Sequence, residues 1–261
     1  MQIRRKSNLR PTILPLSVLI IWLVASSAGM TNAYLLPSPG RIAEAAGELI
    51  ANGELFRHIG ASLWRVLFGF ALTAALALPL AFLTGIFAPL GGYLSWVLEA
   101  LRVTPPLALV PLLILWLGIG EASKLTIVVL ASFFPVYMNA LAGIREADGK
   151  LIELARTLDL TRRETALHVF LPAALPGIVN GLRLGFGYSW RALVGAELVA
   201  ASAGLGYLII DASEMARTDR VFVGIFAIAA LGALTDWLFR RAAARLMPWR
   251  SEAGQSSGLE G

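Results

Sequence analysis

Charged side chains inside a long apolar run are the residues of this sequence best placed to do chemistry. The run 177–201 carries three of them, Arg183, Arg191 and Glu197. A charge at membrane depth is costly, so it marks either a buried ion pair or a contact with a transported solute. Arg191 lies far from both ends of the run, and two interpretations stay open for it: a salt bridge to another helix, or contact with an anionic substrate.

The other charged residues have simpler interpretations. Glu197 joins Arg191 as a candidate for contact with a transported solute along a translocation pathway. Arg183, near the opposite end of the run, is expected to extend towards lipid headgroups. Arg65, close to the amino-terminal end of the run 61–88, is expected at the membrane interface.

Residue patterns that would make the chain an enzyme do not occur. There is no cysteine, and two isolated histidines, His58 and His168, form no metal-ligand cluster. No GxxxxGK[ST], HExxH or GxSxG pattern is found. The stretch GLRLGFG, with Gly181, Gly185 and Gly187, opens an apolar run and fits close helix packing better than nucleotide binding. We therefore expect no catalytic site, no cofactor and no metal, and an energy source in another subunit.

The elements that carry these residues are predicted to be membrane-spanning helices. The chain is 57% hydrophobic and 15% charged, with a mean hydropathy of +0.72, whereas a soluble domain carries about 25% charge. The fold class is therefore all-α, a polytopic membrane protein with about six spanning helices. Pro105, Pro106 and Pro111 interrupt the third run, which is expected to lie inside the bundle. Runs approaching the roughly 20 residues that a span needs lie at 12–28, 61–88, 103–119, 125–142, 177–201 and 221–239.

The distribution of basic residues predicts the orientation. With the amino terminus in the cytoplasm, most of the 22 Lys and Arg residues fall inside. Those that fall outside are Arg41, Arg57, Lys124, Arg217 and Arg220. This bias follows the positive-inside rule and explains the net charge of +5 without a nucleic-acid partner. The first run follows a basic leader and ends in small residues, so a cleaved signal peptide stays an alternative to a retained span.

A polar segment between the fourth and fifth runs is predicted to form a hairpin of two short helices on the cytoplasmic face. Thr161 followed by Glu164 is a capping-box pattern, and Pro172 and Pro176 are expected to end the second helix. The apolar stripe of the first helix suits docking on a partner, but also contact with lipid headgroups or with its own bundle. That stripe consists of Leu151, Leu154, Ala155 and Leu158.

The same segment resembles the EAA loop of ATP-binding-cassette (ABC) importer permeases. Asp159 stands where the motif has glycine, and we expect the turn to survive because aspartate tolerates left-handed backbone. Leu154 replaces an alanine and Val169 an isoleucine. The positions that match the motif are Glu153, Leu154, Ala155, Asp159, Val169, Phe170, Leu171 and Pro172.

Further stretches resemble the taurine, alkanesulfonate and nitrate branch of these permeases, most of all taurine permeases. They are 105–121, 171–187, 193–209, 218–225 and 245–249. The resemblance implies a type I importer that moves a small organic sulfonate across the bacterial inner membrane. It implies two permease copies, cytoplasmic ATPase subunits, a periplasmic binding protein, and a hairpin that acts as the coupling helix towards the ATPase. For Glu197, which matches a position shared in the family, it favours a structural role near the outer gate over substrate contact.

The resemblance also divides the chain into three parts. Residues 1–60 would hold the cytoplasmic amino-terminal tail, the first span and a periplasmic segment, 61–245 the permease core, and 246–261 a cytoplasmic tail. Nitrate or another small anion or metabolite is an alternative substrate. A secondary transporter or channel subunit is an alternative of another class, although no internal repeat supports it. Charges and prolines inside the spans disfavour a passive membrane anchor.

Overall fold

The structure is a computed structural model that describes residues 10–30, 32 and 34–246. Over these residues the chain is helical and contains no strand. The predicted cytoplasmic tails, 1–9 and 247–261, lie outside the described residues. The helices are α1 (Arg10–Ser27), α2 (Pro39–Ala51), α3 (Glu54–Ile86), α4 (Ala88–Val103), α5 (Val110–Leu117), α6 (Glu121–Arg145), α7 (Gly149–Thr157), α8 (Arg162–Thr165), α9 (Leu171–Ala200), α10 (Leu205–Glu214) and α11 (Thr218–Leu246).

Five of the six predicted apolar runs fall almost entirely in single helices. Four of these helices are long and apolar enough to span a membrane: α3, α6, α11 and the helix that continues through α8 into α9. The first run corresponds to a shorter apolar helix within α1. The third corresponds to α5 and the turn before it, whereas α4, which precedes α5 at a bend of 85°, was not predicted as an apolar run. The described chain thus has four straight spans and one bent pair, with α1 in addition.

Consecutive prolines produce the bend between α4 and α5. Because a residue before proline is pushed out of the helical region, Thr104 is extended (ψ 120°), and a 3-10 turn, Pro106–Leu109, leads into α5. Of the residues in α5, Val110 and Leu113 are buried, while Trp116 is 68% exposed. The expectation that the third run lies inside the bundle is wrong for this chain: α5 packs on α6 at the edge, and the turn itself re-forms backbone bonds near the prolines.

The second helix of the hairpin does not end at its prolines, contrary to the sequence prediction. A π-helical turn, Ala166–Phe170, joins α8 to α9, in which Leu171 N–H donates to the oxygen of Ala166. Pro172 follows this turn directly, and Pro176 lies inside α9, so the helix continues through both prolines. One nearly continuous helix therefore leads from the hairpin into the bundle.

The centre of the bundle is α6, which packs against α3 and α9. Glycines of α9 allow the backbones to approach closely. A Cβ on Gly181 or Gly185 would lie 3.1 and 3.2 Å from backbone oxygens of α6, and one on Gly177 closer still, whereas Gly187 has nothing within 4 Å. The predicted packing role of the glycines is therefore confirmed for Gly181 and Gly185 and wrong for Gly187, which faces open space in this chain.

The bundle has two distinct ends. At the end that we call the α10 end, α3 and α6 begin, α9 finishes and α10 lies across. At the hairpin end, α3 and α6 finish and the hairpin α7–α8 follows. The sequence did not indicate α2 or α10, the two short helices that pack at the α10 end through Leu49, Leu205 and Leu208.

Candidate functional site

The hairpin has a tightly specified turn. Asp148 caps α7 by accepting a hydrogen bond from the N–H of Lys150 at 2.9 Å. At the other end of α7, Leu160 N–H donates to the oxygen of Ala155 at 3.0 Å, a helix-ending arrangement that requires a left-handed residue just before Leu160. Asp159 is that residue, with φ 50°. The prediction that aspartate replaces glycine in left-handed backbone is confirmed.

The predicted capping box at the start of α8 is also present. Thr161 N–H donates to Glu164 Oε2 at 2.8 Å, and Glu164 N–H donates to Thr161 Oγ1 at 3.3 Å. Two N–H groups that lack a helical partner are thereby satisfied reciprocally. With both sides of the turn held by specific bonds, α7 is positioned firmly with respect to the helix that enters the bundle.

The apolar stripe of α7 is not covered by the rest of the described chain. Leu151, Leu154 and Leu158 are 48%, 52% and 62% exposed, whereas Ala155 is buried beside the π-helical turn. Packing on its own bundle therefore does not account for the stripe. The matched motif residues that are also on the surface are Glu153, Asp159, Leu171 and Pro172.

A buried polar cluster lies at the α10 end, and Glu197 is at its centre. The carboxylate is fully buried. It accepts hydrogen bonds from Ser62 Oγ at 2.8 and 2.9 Å, from Arg65 Nη1 at 2.8 Å and from the N–H of Gly206 at 3.0 Å. This number of donors offsets the cost of burying a carboxylate.

Arg65 of α3 connects two carboxylates from different helices. Its Nε and Nη2 donate to Glu121 at 2.7 and 2.8 Å, while Nη1 reaches Glu197. The Nζ of Lys124 also lies 3.3 Å from Glu121. Two positive charges, Arg65 and Lys124, therefore balance two negative ones, Glu121 and Glu197. Arg65, expected at the membrane interface, is only 5% exposed and is enclosed by protein, and its paired carboxylates make that burial tolerable.

The cluster also holds the beginning of α10. The first N–H groups of a helix have no partner within the helix. Here those of residues 204, 205 and 206 donate to His58 Nδ1, Ser62 Oγ and Glu197 Oε2, at 3.0, 2.8 and 3.0 Å. A carboxylate at this end also interacts favourably with the helix dipole. Side chains of α3 and α9 thus cap α10 from outside.

Sequence reasoning missed most members of this cluster. His58, Ser62 and Arg65 lie at spacings of four and three residues, which places them on one face of α3. A polar face within an otherwise apolar helix is a signal of a buried network. The polar face of α3 gives no indication that Glu121, on α6, is the second carboxylate that pairs with Arg65.

Arg191 lies in a different environment from Glu197, at the wall of an open cavity of about 500 Å³. Its guanidinium stands over the ring of Tyr188, with 5.6 Å from Cζ to the ring centroid. No acidic side chain among the described residues forms an ion pair with it. Arg183, in contrast, pairs with Asp236 of α11 at 2.7 Å. Arg191 and Glu197, the two candidate pathway residues, therefore lie in different environments and make no contact with each other.

The cavity beside Arg191 combines positive charge with apolar walls. Arg102, at the end of α4, is its second basic residue, and no acidic side chain lines it. A volume of this size is within the ~300–1,000 Å³ usual for small-molecule sites. Such a lining suits a small anion that carries an apolar part. The side chains that form its apolar walls include Leu107, Leu130, Phe134 and Met138.

Comparison with known proteins gives consistent similarities. The sequence profile of the family described as "Binding-protein-dependent transport system inner membrane component" matches residues 77–248. The chain is 42% identical to a protein named as an aliphatic sulfonates transport permease in Bacillus subtilis, covering 95% of this chain and 90% of that one. It is 35% identical to the taurine transport system permease protein of Escherichia coli, covering 90% and 87%.

More distant similarities extend the same pattern. A nitrate import permease protein of Synechocystis is 29% identical over 89% of this chain and 90% of that one. The crystal structure of an amino acid ABC transporter with histidines has a TM-score of 0.60 at 19% identity, covering 76% of this chain and 95% of that chain. At this identity the structural likeness concerns the fold alone.

Proposed function

Because the chain belongs to the family of binding-protein-dependent transport system inner membrane components, we propose that it is the permease subunit of an ABC importer for small organic sulfonates. As a member of this family it is a multi-pass protein of the inner membrane. It works with a substrate-binding protein and with a separate ATPase that supplies the energy. Beyond this membership, we propose a substrate class, a coupling surface and a mode of assembly.

The identity to permeases named for aliphatic sulfonates, 42% and 41% over most of the chain, is the observation that carries the substrate class. The cavity beside Arg191 supports it, because a sulfonate with a short alkyl chain presents an anionic head and an apolar tail to such walls. Nitrate, the substrate in the name of a 29% identical relative, is the second candidate. It would use the arginine but leave the apolar walls without a role.

We assign the coupling role to the exposed surface of the hairpin. Its leucines Leu151, Leu154 and Leu158 form the centre of the docking surface for the ATPase, and Glu153, Ala155, Asp159, Leu171 and Pro172 support it. The continuous helix from α8 into α9 makes this surface a lever, because a displacement of α7 is passed to the helix that carries Arg191. Two states with different contacts to the ATPase are what allow ATP to drive the movement.

The remaining assignments concern assembly and orientation. Two copies of the chain form the pathway, both termini lie in the cytoplasm, and the α10 end faces the periplasm. Glu197 is a positioning residue of the outer gate, because its carboxylate caps α10 and does not line the cavity at Arg191. The limits of the permease core at 61 and 245 are kept as predicted.

The test is uptake by the reconstituted importer. The permease is combined in liposomes with its ATPase and binding protein, and ATP-dependent entry of labelled taurine, ethanesulfonate and nitrate is measured. We expect uptake of at least one sulfonate and little uptake of nitrate. Uptake of nitrate without either sulfonate would replace the proposed substrate class by the second candidate.

The coupling role is tested in the same liposomes. Changing both Leu151 and Leu154 to Asp places charges in a buried contact, where an unpaired charge is strongly unfavourable. We expect the ATPase to dissociate or to hydrolyse ATP without uptake. Arg156→Ala, on the polar side of α7, is the control and should be much milder. Normal coupling in the double variant would contradict the docking role of the stripe.

A further inference from the structure

We propose that Arg102 is a second anion contact of the pathway, between Arg191 and Arg145, at the point where two cavities meet. This inference rests on the proposed function, since it assigns a residue to the passage of the same small organic anions. Neither the sequence motifs nor the similarity to other permeases points to Arg102. Its position in the structure does.

Arg102 lines two neighbouring cavities. The first is the cavity of about 500 Å³ that contains Arg191. The second has a volume of about 160 Å³ and extends along α4 and α6 to Arg145. Arg102, Phe134 and Met138 line both, so the cavities share one stretch of wall, and Arg102 is the only charged residue in it.

The second cavity leads towards the hairpin end. Arg145 is the last residue of α6, and its Nη2 lies 3.9 Å from the position that a Cβ on Gly91 would occupy. Glycine at this point of α4 leaves space beside the guanidinium. The order of the basic residues is therefore Arg191 in the second half of α9, Arg102 at the bend after α4, and Arg145 at the hairpin end.

Glu99 gives Arg102 a competing partner. It lines the second cavity and accepts a hydrogen bond from Arg102 Nε at 3.1 Å. Arg102 Nη2 donates to the same carboxylate, but the pair is about half exposed, so solvent screening limits its free energy, and an anion entering from Arg191 competes with Glu99 for the guanidinium. Transport needs several contacts of moderate strength, since one tight contact would retain the solute. Three spaced arginines, one of them moderated by Glu99, meet this requirement.

The experiment compares three changes that affect the same ion pair differently. Arg102→Gln removes the cation, Arg102→Lys keeps the charge, and Glu99→Gln breaks the pair but leaves the cation in place. Uptake of ethanesulfonate is measured in liposomes with saturating loaded binding protein. ATPase co-purification and basal ATP hydrolysis are recorded for each variant. Arg241→Gln is the matched control, because Arg241 stacks over Trp237 on α11.

We expect Arg102→Gln to lower uptake about ten-fold or more, the effect of losing one hydrogen bond to a charged group, with assembly and basal hydrolysis retained. Arg102→Lys should restore part of the uptake, Glu99→Gln should lose clearly less than Arg102→Gln, and Arg241→Gln should behave as wild type. Equal losses in Arg102→Gln and Glu99→Gln would show that only the ion pair matters and would overturn the inference. So would wild-type uptake in Arg102→Gln.

The wild-type measurement separates this inference from the proposed function. If the wild-type importer takes up no sulfonate, the proposed function fails and the inference falls with it. If it takes up ethanesulfonate while Arg102→Gln is unimpaired, the proposed function stands and the role of Arg102 alone is wrong. An Arg102→Gln protein that no longer binds the ATPase would assign Arg102 a structural role and would equally overturn the inference.

Discussion

Glu197 shows how a single buried carboxylate unites four helices. It belongs to α9, receives donors from α3 and α10, and is linked through Arg65 to Glu121 of α6. A buried ion pair contributes little net stability when complete, but removal of one partner leaves the other unpaired and is costly. The cluster therefore specifies the arrangement of the α10 end more than it adds to the overall free energy of folding.

The residue-scale prediction follows from that asymmetry. Glu197→Ala would leave Ser62 and the Gly206 N–H without their acceptor and would leave Arg65 paired with Glu121 alone. We expect a loss of about 3 kcal/mol of stability, since each buried donor without a partner costs about 1–3 kcal/mol. The measurement is the thermal unfolding midpoint in detergent, followed by tryptophan fluorescence. Glu121→Gln is the control, since the Glu121 side chain is 50% exposed and water can replace its contacts. Equal loss in both variants would contradict a special role of Glu197.

At the scale of elements, the close packing of α9 on α6 depends on glycines, which have no side chain to separate the two backbones. The glycines Gly177, Gly181 and Gly185 recur every four residues, and each faces the backbone or side chains of α6. Because lipid tails are as apolar as the helices, close backbone contact of this kind is what holds spanning helices together. The same interface must also transmit any displacement of the hairpin.

The element-scale prediction uses the glycine that faces away as its control. Gly177→Leu would force a side chain into the backbone of α6, and we expect a loss of about 1–3 kcal/mol together with weaker uptake. Gly187→Leu adds the same side chain where nothing lies within 4 Å and should leave the unfolding midpoint of the solubilised single chain nearly unchanged. The two unfolding midpoints in detergent decide the matter. A smaller loss of stability in Gly177→Leu than in Gly187→Leu would contradict the close packing of α9 on α6 at Gly177.

Local signals in the sequence predicted the local structure well. The capping box of Thr161 and Glu164, the left-handed Asp159 and the glycines at 181 and 185 each depend on neighbours in the chain or on one helix face. The continuation past Pro172 was missed because a π-helical turn gives no sequence signal of its own. The ion pairs of Arg65 and the capping of α10 were missed for another reason: most of the partners involved lie 56 or more residues apart in the chain, where no periodicity reports them.

At the scale of the whole molecule, the two ends have opposite characters. At the α10 end a buried cluster around Arg65 and Glu197 holds α10 through side-chain caps. The hairpin end exposes leucines and carries basic residues, among them Arg145, Arg156 and Arg163. An end held by a buried ionic cluster and an end with exposed leucines, the docking surface proposed above, suit a protein that meets different partners on the two sides of a membrane. Basic residues near the hairpin end indicate which side is the cytoplasm.

The last prediction is that orientation. A reporter that is active only in the cytoplasm, fused after Arg163 in the hairpin, should be active, and one fused within 211–217 at the α10 end should be inactive. A reporter active only in the periplasm should give the opposite pattern at both positions. The expectation rests on the excess of Lys and Arg at the hairpin end and does not depend on α1, since cleavage of α1 would leave the other helices in place.

The bent pair α4–α5 is the critical point for this orientation, because a re-entrant pair would return the chain to the same side of the membrane. Fusions after Phe87 and after Gly118, on either side of the pair, test this directly: opposite activities mean that the pair crosses the membrane, and equal activities would contradict the orientation assigned to the α10 end or the hairpin end.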